Sequence, residues 1–365
     1  MNFILDENSV TPAYLQLYRH LVDDIVSDVY PYGSKLPSKR TIAGDTGLSV
    51  ITVEHAVSLL CDEGYIESRQ RSGYFVIYRR DDFPGSGEAH IPAPVHREVQ
   101  SAAPRDPSLL IPYSVAARTM RRVILDYNER ILVKSPNHGC DELRSEICAY
   151  LARSRGIHVD PSQIIIGSGA EYLYGLIVQL LGTDAVYGIE DPSYEKIERV
   201  YALMGAKIER LKMGADGIES KALSGSKAGI LHVTPFHSYP SGITAGISKK
   251  HEYLRWAERR GAILIEDNYD SELTVSTKPE EPLFSMAKGG NVIYINTFSK
   301  TVAPSIRIGY MILPKEMLPT FDAKLGFYSC TVPMFDQYVL AELIRSGDFE
   351  RHINRVRRMK RKQMS

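Results

Sequence analysis

Apolar residues recur at helical spacing through the first thirty positions, at Tyr14, Leu15, Tyr18, Leu21, Val22, Ile25, Val26 and Val29. This predicts one amphipathic helix capped by Thr11, with Pro12 in its first turn, running to Val29. Gly33 ends that unit. Ser38 offers a cap for a short helix over "KRTIAGDT", Gly47 stops it, and Ser49 caps a third helix reaching about Glu63. The period then changes. "YIES" and "YFVI" alternate as strands and are joined by "RQRSG", which predicts a hairpin whose tip carries Arg69 and Arg71.

From Ile164 onward short apolar runs alternate with helical stretches: "QIIIG", "AVYGIE", "AKIERL", "GILHVT", "AILIED", "NVIYIN" and "IGYMIL". Nearly continuous apolar strands separated by helices predict an α/β domain, a mostly parallel sheet with helices on both faces and its ligand chemistry at the carboxyl ends of the strands. Those ends present Gly167-Ser168-Gly169-Ala170, Asp191-Pro192-Ser193-Tyr194, Glu266-Asp267-Asn268-Tyr269-Asp270 and Thr297-Phe298-Ser299-Lys300. Between the two regions, residues 81–110 hold five prolines and no apolar period, the character of a linker. Three parts follow: residues 1–80, the linker 81–110, and residues 111–365.

Composition narrows the class. With 44% apolar residues and no run of eighteen apolar positions, the chain reads as soluble and globular, with no membrane partner. The start "MNFILDENSV" lacks the basic leader of a secretion signal, so the expected address is cytoplasmic. Cys61, Cys140, Cys148 and Cys330 are scattered, which predicts neither disulfides nor a metal site. A net formal charge of zero requires any nucleic-acid surface to be local. Residues 1–80 hold eight Lys/Arg against ten Asp/Glu, yet positive charge gathers at Lys35, Lys39 and Arg40 and again at Arg69 and Arg71, where phosphate contacts would fall.

Two helices joined by a tight turn and followed by a basic hairpin compose a winged helix-turn-helix, with the helix from Ser49 placed to enter a major groove. The competing reading is a small helical interaction domain without nucleic acid. The segment "SKLPSKRTIAGDTGLSVITVEHAVSLLCDEGYIESRQRSGYFV" resembles the DNA-binding domain of GntR-family regulators, the match spanning about residues 11–78. The resemblance implies a double-stranded DNA operator as partner, with Lys35, Ser38, Lys39, Arg40, Ser49, Val50, Thr52, Arg69 and Arg71 on the contact surface. Where that family usually carries an arginine after the serine opening the recognition helix, and often another basic residue four positions on, this chain has Val50 and Glu54.

"GSGAEY" follows a strand and opens a helix, but Tyr172 stands where a dinucleotide fingerprint needs a small residue. The amides opening that helix still suit a single phosphate. No G-x-S-x-G elbow is present, and His232 and His237 read as ordinary sheet and loop residues. Pyridoxal 5'-phosphate (PLP) requires a lysine, an acid against the ring nitrogen, a phosphate cradle and an aromatic face, all of which the strand ends supply. The bland alternative makes Lys300 a solvated loop lysine and Asp267 a helix cap.

The order of these groups also resembles fold-type I PLP enzymes of the aspartate aminotransferase group over about residues 111–358. The resemblance implies Lys300 in "TFSKTVAPSIRIGY" as the Schiff-base lysine, Asp267 as partner of the pyridinium nitrogen, and Tyr269 as partner of the ring hydroxyl. Tyr194 would stack on the ring, and Ser168, Gly169, Ala170, Thr297, Ser299 and Arg307 would hold the phosphate. A GntR-type reader joined by a linker to such a domain resembles the MocR-like transcriptional regulators. That implies a homodimer made by the PLP domain, with PLP or its adduct with an amino acid or amine as effector. A working aminotransferase is the rival, and a decaying regulator that folds poorly is the third reading.

Aligned on Gly139, the segment "KSPNHG" puts Lys134 where the family's tyrosine would cross to a partner's phosphate. The chain stops at Ser365 within a predicted helix, "FERHINRVRRMKRKQMS", in which Ile353, Val356 and Met359 keep helical spacing beneath the charges. The family continues into a small C-terminal domain. Its apparent lack here predicts that apolar residues near "CTVPMFDQYVLAELI" lie open to solvent.

Overall fold

A computed structural model describes residues 4–6, 9, 11–79, 110–273, 281–287 and 290–364. The proposed linker 81–110, apart from its last residue, lies outside the described residues. The chain divides into two units, Met1–Val99 and Gln100–Ser365.

In the first unit, α1 (Ala13–Val26), α2 (Lys39–Thr46) and α3 (Val50–Asp62) precede a hairpin of β1 (Ile66–Arg69) and β2 (Gly73–Val76). Their apolar stripes meet in one core built on Leu17, Leu21, Ile25, Ile42, Val53, Val57, Leu60 and Val76. Ser38 Oγ accepts from the Thr41 amide and Ser49 Oγ from the Thr52 amide, each at 3.1 Å, so both serines cap as their positions predict. The first helix is shorter than its pattern. It follows Pro12 without a side-chain cap from Thr11, and it ends where Ser27 returns both its amide and hydroxyl to Asp23 O and Asp28 takes a φ of +60°. Val29, beyond that turn, is 61% exposed rather than core.

The second unit opens with α4 (Tyr113–Tyr127) and α5 (Asp141–Arg155). The sheet strands then alternate with helices: β3 (Ile164–Gly167), α6 (Ala170–Leu181), β4 (Val186–Asp191), α7 (Glu195–Leu203), β5 (Lys207–Gly214), β6 (Gly217–Ile218), α8 (Ser220–Gly225), β7 (Ile230–Val233), α9 (Ile247–Arg260), β8 (Ile263–Asp267), α10 (Leu283–Met286), β9 (Val292–Thr297) and β10 (Gly309–Ile312). Helices α11 (Leu318–Leu325), α12 (Met334–Arg345) and α13 (Asp348–Met364) follow.

The strands lie in the order β3-β10-β9-β8-β7-β4-β5-β6. Strands β5, β4, β7, β8 and β9 run parallel, while β10 is antiparallel to both β9 and β3, and β6 folds back on β5. Successive side chains leave opposite faces, and each face is covered. Ile164, Ile166, Tyr294, Tyr310 and Ile312 meet α5, α12 and α13, whereas Ile165, Ile293, Ile295 and Met311 meet α6, α7 and α11. Trp256 and Tyr253 of α9 cover Leu231, Leu264 and Val292.

One expectation fails here. Far from lying open, α12 is almost wholly buried, with Tyr338, Leu340, Ala341, Leu343 and Ile344 at 2% exposure or less. It is enclosed by α4, α5 and α13, whose Val123, Leu143, Ile353 and Val356 share its core. The expectation rested on the apparent lack of a further domain, but the apolar stripe of α13, with Ile353 and Val356, folds back onto α12 and satisfies both surfaces.

Candidate functional site

The register of the sheet assembles the site. Gly167 pairs with Gly309, and Gly309 with Thr297, so the end of β3, the start of β10 and the end of β9 fall on one edge. Because β10 runs antiparallel, the chain leaving Thr297 passes through Ser299 and Lys300, loops, and returns Arg307 to that edge. Asp267 ends the adjacent β8. The sheet therefore gathers segments spread along the chain from Gly167 to Gly309.

They surround a cavity of about 330 Å³. Of the residues named from sequence, Ala170, Tyr194, Asp267, Tyr269, Thr297, Ser299, Lys300 and Arg307 line it, joined by Glu171, Tyr174, Thr234 and Tyr239. Ser168 and Gly169 do not line it but form the turn that opens α6. Gly169 has a φ of +97°, and a Cβ there would stand 2.9 Å from Arg307 Nη2, so glycine lets the guanidinium lie against the loop. The first amides of α6 lack intrahelical partners. With Arg307 and the hydroxyls of Thr297 and Ser299, they form a donor set suited to a phosphate dianion.

Lys300 Nζ lies 2.7 Å from Asp270 Oδ2 and 4.7 Å from the centre of the Tyr269 ring. Its side chain is 44% exposed, whereas Asp270 is buried and its Oδ1 has no hydrogen-bond partner among the described residues. Asp267 is buried deeper. Its Oδ2 accepts from the Tyr174 hydroxyl, and its Oδ1 accepts from the Tyr269 amide at 3.2 Å. His232 Nε2 stands 3.7 Å from the same carboxylate, while its Nδ1 faces the Tyr201 hydroxyl at 2.7 Å. Burial, and then the nearby Asp267 charge, hold the Tyr174 hydroxyl well above the usual phenol range, so it stays a donor.

Tyr269, the residue expected at the ring hydroxyl, donates its own hydroxyl to the His237 carbonyl at 3.0 Å. Tyr194 stands edge-on to Tyr239, with centres 6.0 Å apart. Arg307 Nη2 donates to Glu171 Oε2 at 2.9 Å, and Lys196 pairs with the other oxygen. Lys134 is exposed and outside the cavity lining.

Tyr174, His232, Asp270 and Glu171 were missed in the sequence, and His232 is more than an ordinary sheet residue. Tyr174 sits inside the apolar run "AEYLYGLIVQLL", where only a hydroxyl on the sheet-facing side betrays it. Asp270 carries a weak signal as the second acid of "EDNYD".

In the first unit Lys39 Nζ is tied to Glu54 Oε1 at 2.6 Å, linking α2 to α3, and Arg69 Nε to Glu67 Oε1 at 2.7 Å. Expected phosphate donors are thus partly neutralised by neighbouring acids. Lys35, ahead of α2, Arg40, in its first turn, and Arg71, at the hairpin tip with φ +59°, are exposed and have no ion-pair partner among the described residues.

Residues 103–365 match the family model of aminotransferase class I and II, and residues 13–76 match bacterial regulatory proteins of the gntR family. The HTH-type transcriptional regulator YdeL of Bacillus subtilis (strain 168) is 33% identical over 96% of this chain and 77% of its own length. The probable rhizopine catabolism regulatory protein MocR of Rhizobium meliloti is 28% identical over 98% of this chain and 76% of its own. The chain belongs to the MocR-type transcriptional regulators. Among solved structures, an archaeal alanine:glyoxylate aminotransferase superposes with a TM-score of 0.61 and 27% identity, covering 68% of this chain and 63% of its own. PLP is the cofactor of this fold, and the buried acid, the lysine and the anion-binding loop suit its ring nitrogen, aldehyde and phosphate. Among the described residues no helix is long and apolar enough to cross a membrane.

Proposed function

We propose that the chain is a cytoplasmic, homodimeric regulator whose DNA binding responds to PLP attached to Lys300, or to an amino acid or amine captured by that cofactor. One observation carries the reading: Lys300 stands at the mouth, and Asp267 on the floor, of one cavity in a chain that also holds a gntR-type unit. When bound, PLP supplies an aldehyde that captures amines and a cationic ring that draws electrons from a captured α-carbon. The protein's part is positional. Lys300 offers the amine that anchors the cofactor. Asp267, held by Tyr174 and faced by His232, keeps a proton on the ring nitrogen, while Tyr194 and Tyr239 wall the ring. Arg307, Thr297, Ser299 and the turn at Ser168, Gly169 and Ala170 receive the phosphate. A response follows only if the ligand favours one arrangement of the DNA-binding unit over another.

Borohydride reduction of the protein incubated with PLP tests the anchor: a pyridoxyl group should map to Lys300 and be absent in Lys300→Ala. Operator affinity measured with and without PLP and candidate amines tests the response, and an affinity indifferent to all of them refutes it. The rival, an aminotransferase acting on amino acids or amines, is favoured by the accessibility of Lys300 beside a complete cofactor set. Steady exchange of amino groups, abolished in Lys300→Ala, would put it first.

A further inference from the structure

Helix α3 buries Val53, Ala56, Val57 and Leu60 in the core of its unit, yet its first two residues, Val50 and Ile51, are 46% and 68% exposed. Neither belongs to the core cluster or the side chains packed against it. Two β-branched apolar residues at the start of a helix thus stand outside the packed core of their unit.

The polar neighbours on the same turns are already occupied. Ser49 Oγ accepts from the Thr52 amide and contacts the Thr52 hydroxyl at 2.8 Å. Glu54 is held by Lys39, and His55 packs edge-on against Tyr14 with ring centres 5.8 Å apart. From Leu48 to His55 there is no arginine, lysine, asparagine or glutamine, the side chains that pair in two-pronged fashion with guanine or adenine. What remains for apolar atoms to read in a major groove is the 5-methyl group of thymine.

We propose that this protein reads its operator half-site through thymine methyl groups packed against Val50 and Ile51, with Arg40 and Arg71 fixing the helix by phosphate contacts. The inference rests on the DNA-binding reading of the first unit. It replaces hydrogen-bonded readout at the first turn of α3 with apolar readout, and so assigns the half-site thymines at the contacted steps.

The test uses the full-length chain and a duplex recovered by it from a random-sequence pool. Each half-site thymine is then replaced by deoxyuridine, which keeps the O4 acceptor and removes only the methyl group. One or two positions per half-site should lose affinity, on the order of threefold to fourfold per methyl. In Val50→Ala with Ile51→Ala, affinity for the thymine duplex should fall and the thymine-to-uracil ratio at those positions should approach one. Both side chains are exposed, and an unchanged circular dichroism spectrum verifies the fold. Sequence-selective binding that ignores uracil substitution overturns the proposal alone, as does a ratio that survives in the double variant. Failure to bind any duplex overturns the DNA-binding reading with it.

Discussion

Lys300 and Asp270 form an ion pair at 2.7 Å, so the amine that would anchor the cofactor is already engaged by a carboxylate three residues beyond the acid assigned to the ring. The pair is asymmetric, with an accessible lysine and a buried aspartate whose second oxygen has no partner among the described residues. Anchoring PLP must dissolve it. A half-exposed pair of this kind contributes on the order of 0.2–1 kcal/mol. Asp270→Asn should therefore bind PLP about twofold to fivefold more tightly in a titration followed by the cofactor's absorbance. Weaker binding would mean that Asp270 supports the bound state instead.

Glu171 occupies the position where a phosphate would meet Arg307. Its carboxylate is shared between Arg307 and Lys196, and these cations hold its pKa below the usual range, Lys196 foremost. A charged Glu171 thus opposes an incoming dianion and competes for the guanidinium. Glu171→Gln should tighten binding of PLP severalfold and of inorganic phosphate in parallel, while Arg307→Ala should weaken both. Calorimetry with either ligand separates this from a general change in the cavity, which would alter PLP alone.

Much of this arrangement was legible beforehand because the strands are unbroken apolar runs. Ile164–Gly167, Ile263–Asp267 and Val292–Thr297 keep their polar residues to the last positions at the sheet edge, so Asp267, Thr297 and, just beyond, Lys300 stand out. What could not be read was who faces whom across the sheet. Tyr174 reaches Asp267 from 93 positions away, and His232 reaches it from a neighbouring strand, contacts set by register rather than by local pattern. Ion pairing escaped for the same reason: Lys39 and Glu54 lie on different helices, and their union becomes visible only once α2 packs on α3.

Removing Arg40 and Arg71 together should abolish operator binding. With Lys39 and Arg69 engaged by Glu54 and Glu67, these two and Lys35 are the members of the two basic clusters without an ion-pair partner among the described residues. Few phosphates are then neutralised, on the order of two to four per unit, and the slope of log affinity against log salt should be shallow at about 0.9 per contact. Affinity unchanged in Arg40→Ala with Arg71→Ala would move the interface elsewhere.

Glu190 gives the cofactor domain a pH dependence of definite sign. Its carboxyl is fully buried at the end of β4, accepting from the Ser238 hydroxyl at 2.6 Å and the Thr234 amide at 3.1 Å, and so fastening the loop that carries Tyr239 to the cavity. Burial is the largest influence and pushes its pKa up from 4.5 to about 7, the two hydrogen bonds offsetting part of that rise. A carboxyl whose folded pKa exceeds its unfolded value binds more protons when folded. Its contribution is complete below about 4.5 and is lost as pH rises toward about 7. The shift corresponds to about 3 kcal/mol as an upper bound. Glu266, also buried and shifted upward, acts with the same sign. Glu190→Gln keeps an oxygen to accept from the Thr234 amide and offers its NH2 to the Ser238 hydroxyl oxygen, without a charge. Urea denaturation of the variant should therefore show greater stability than wild type at pH 8, with the difference vanishing near pH 4.5. Equal stability curves across that range would show that Glu190 is charged in the fold without cost, and its place beneath the Tyr239 loop would then be structural only.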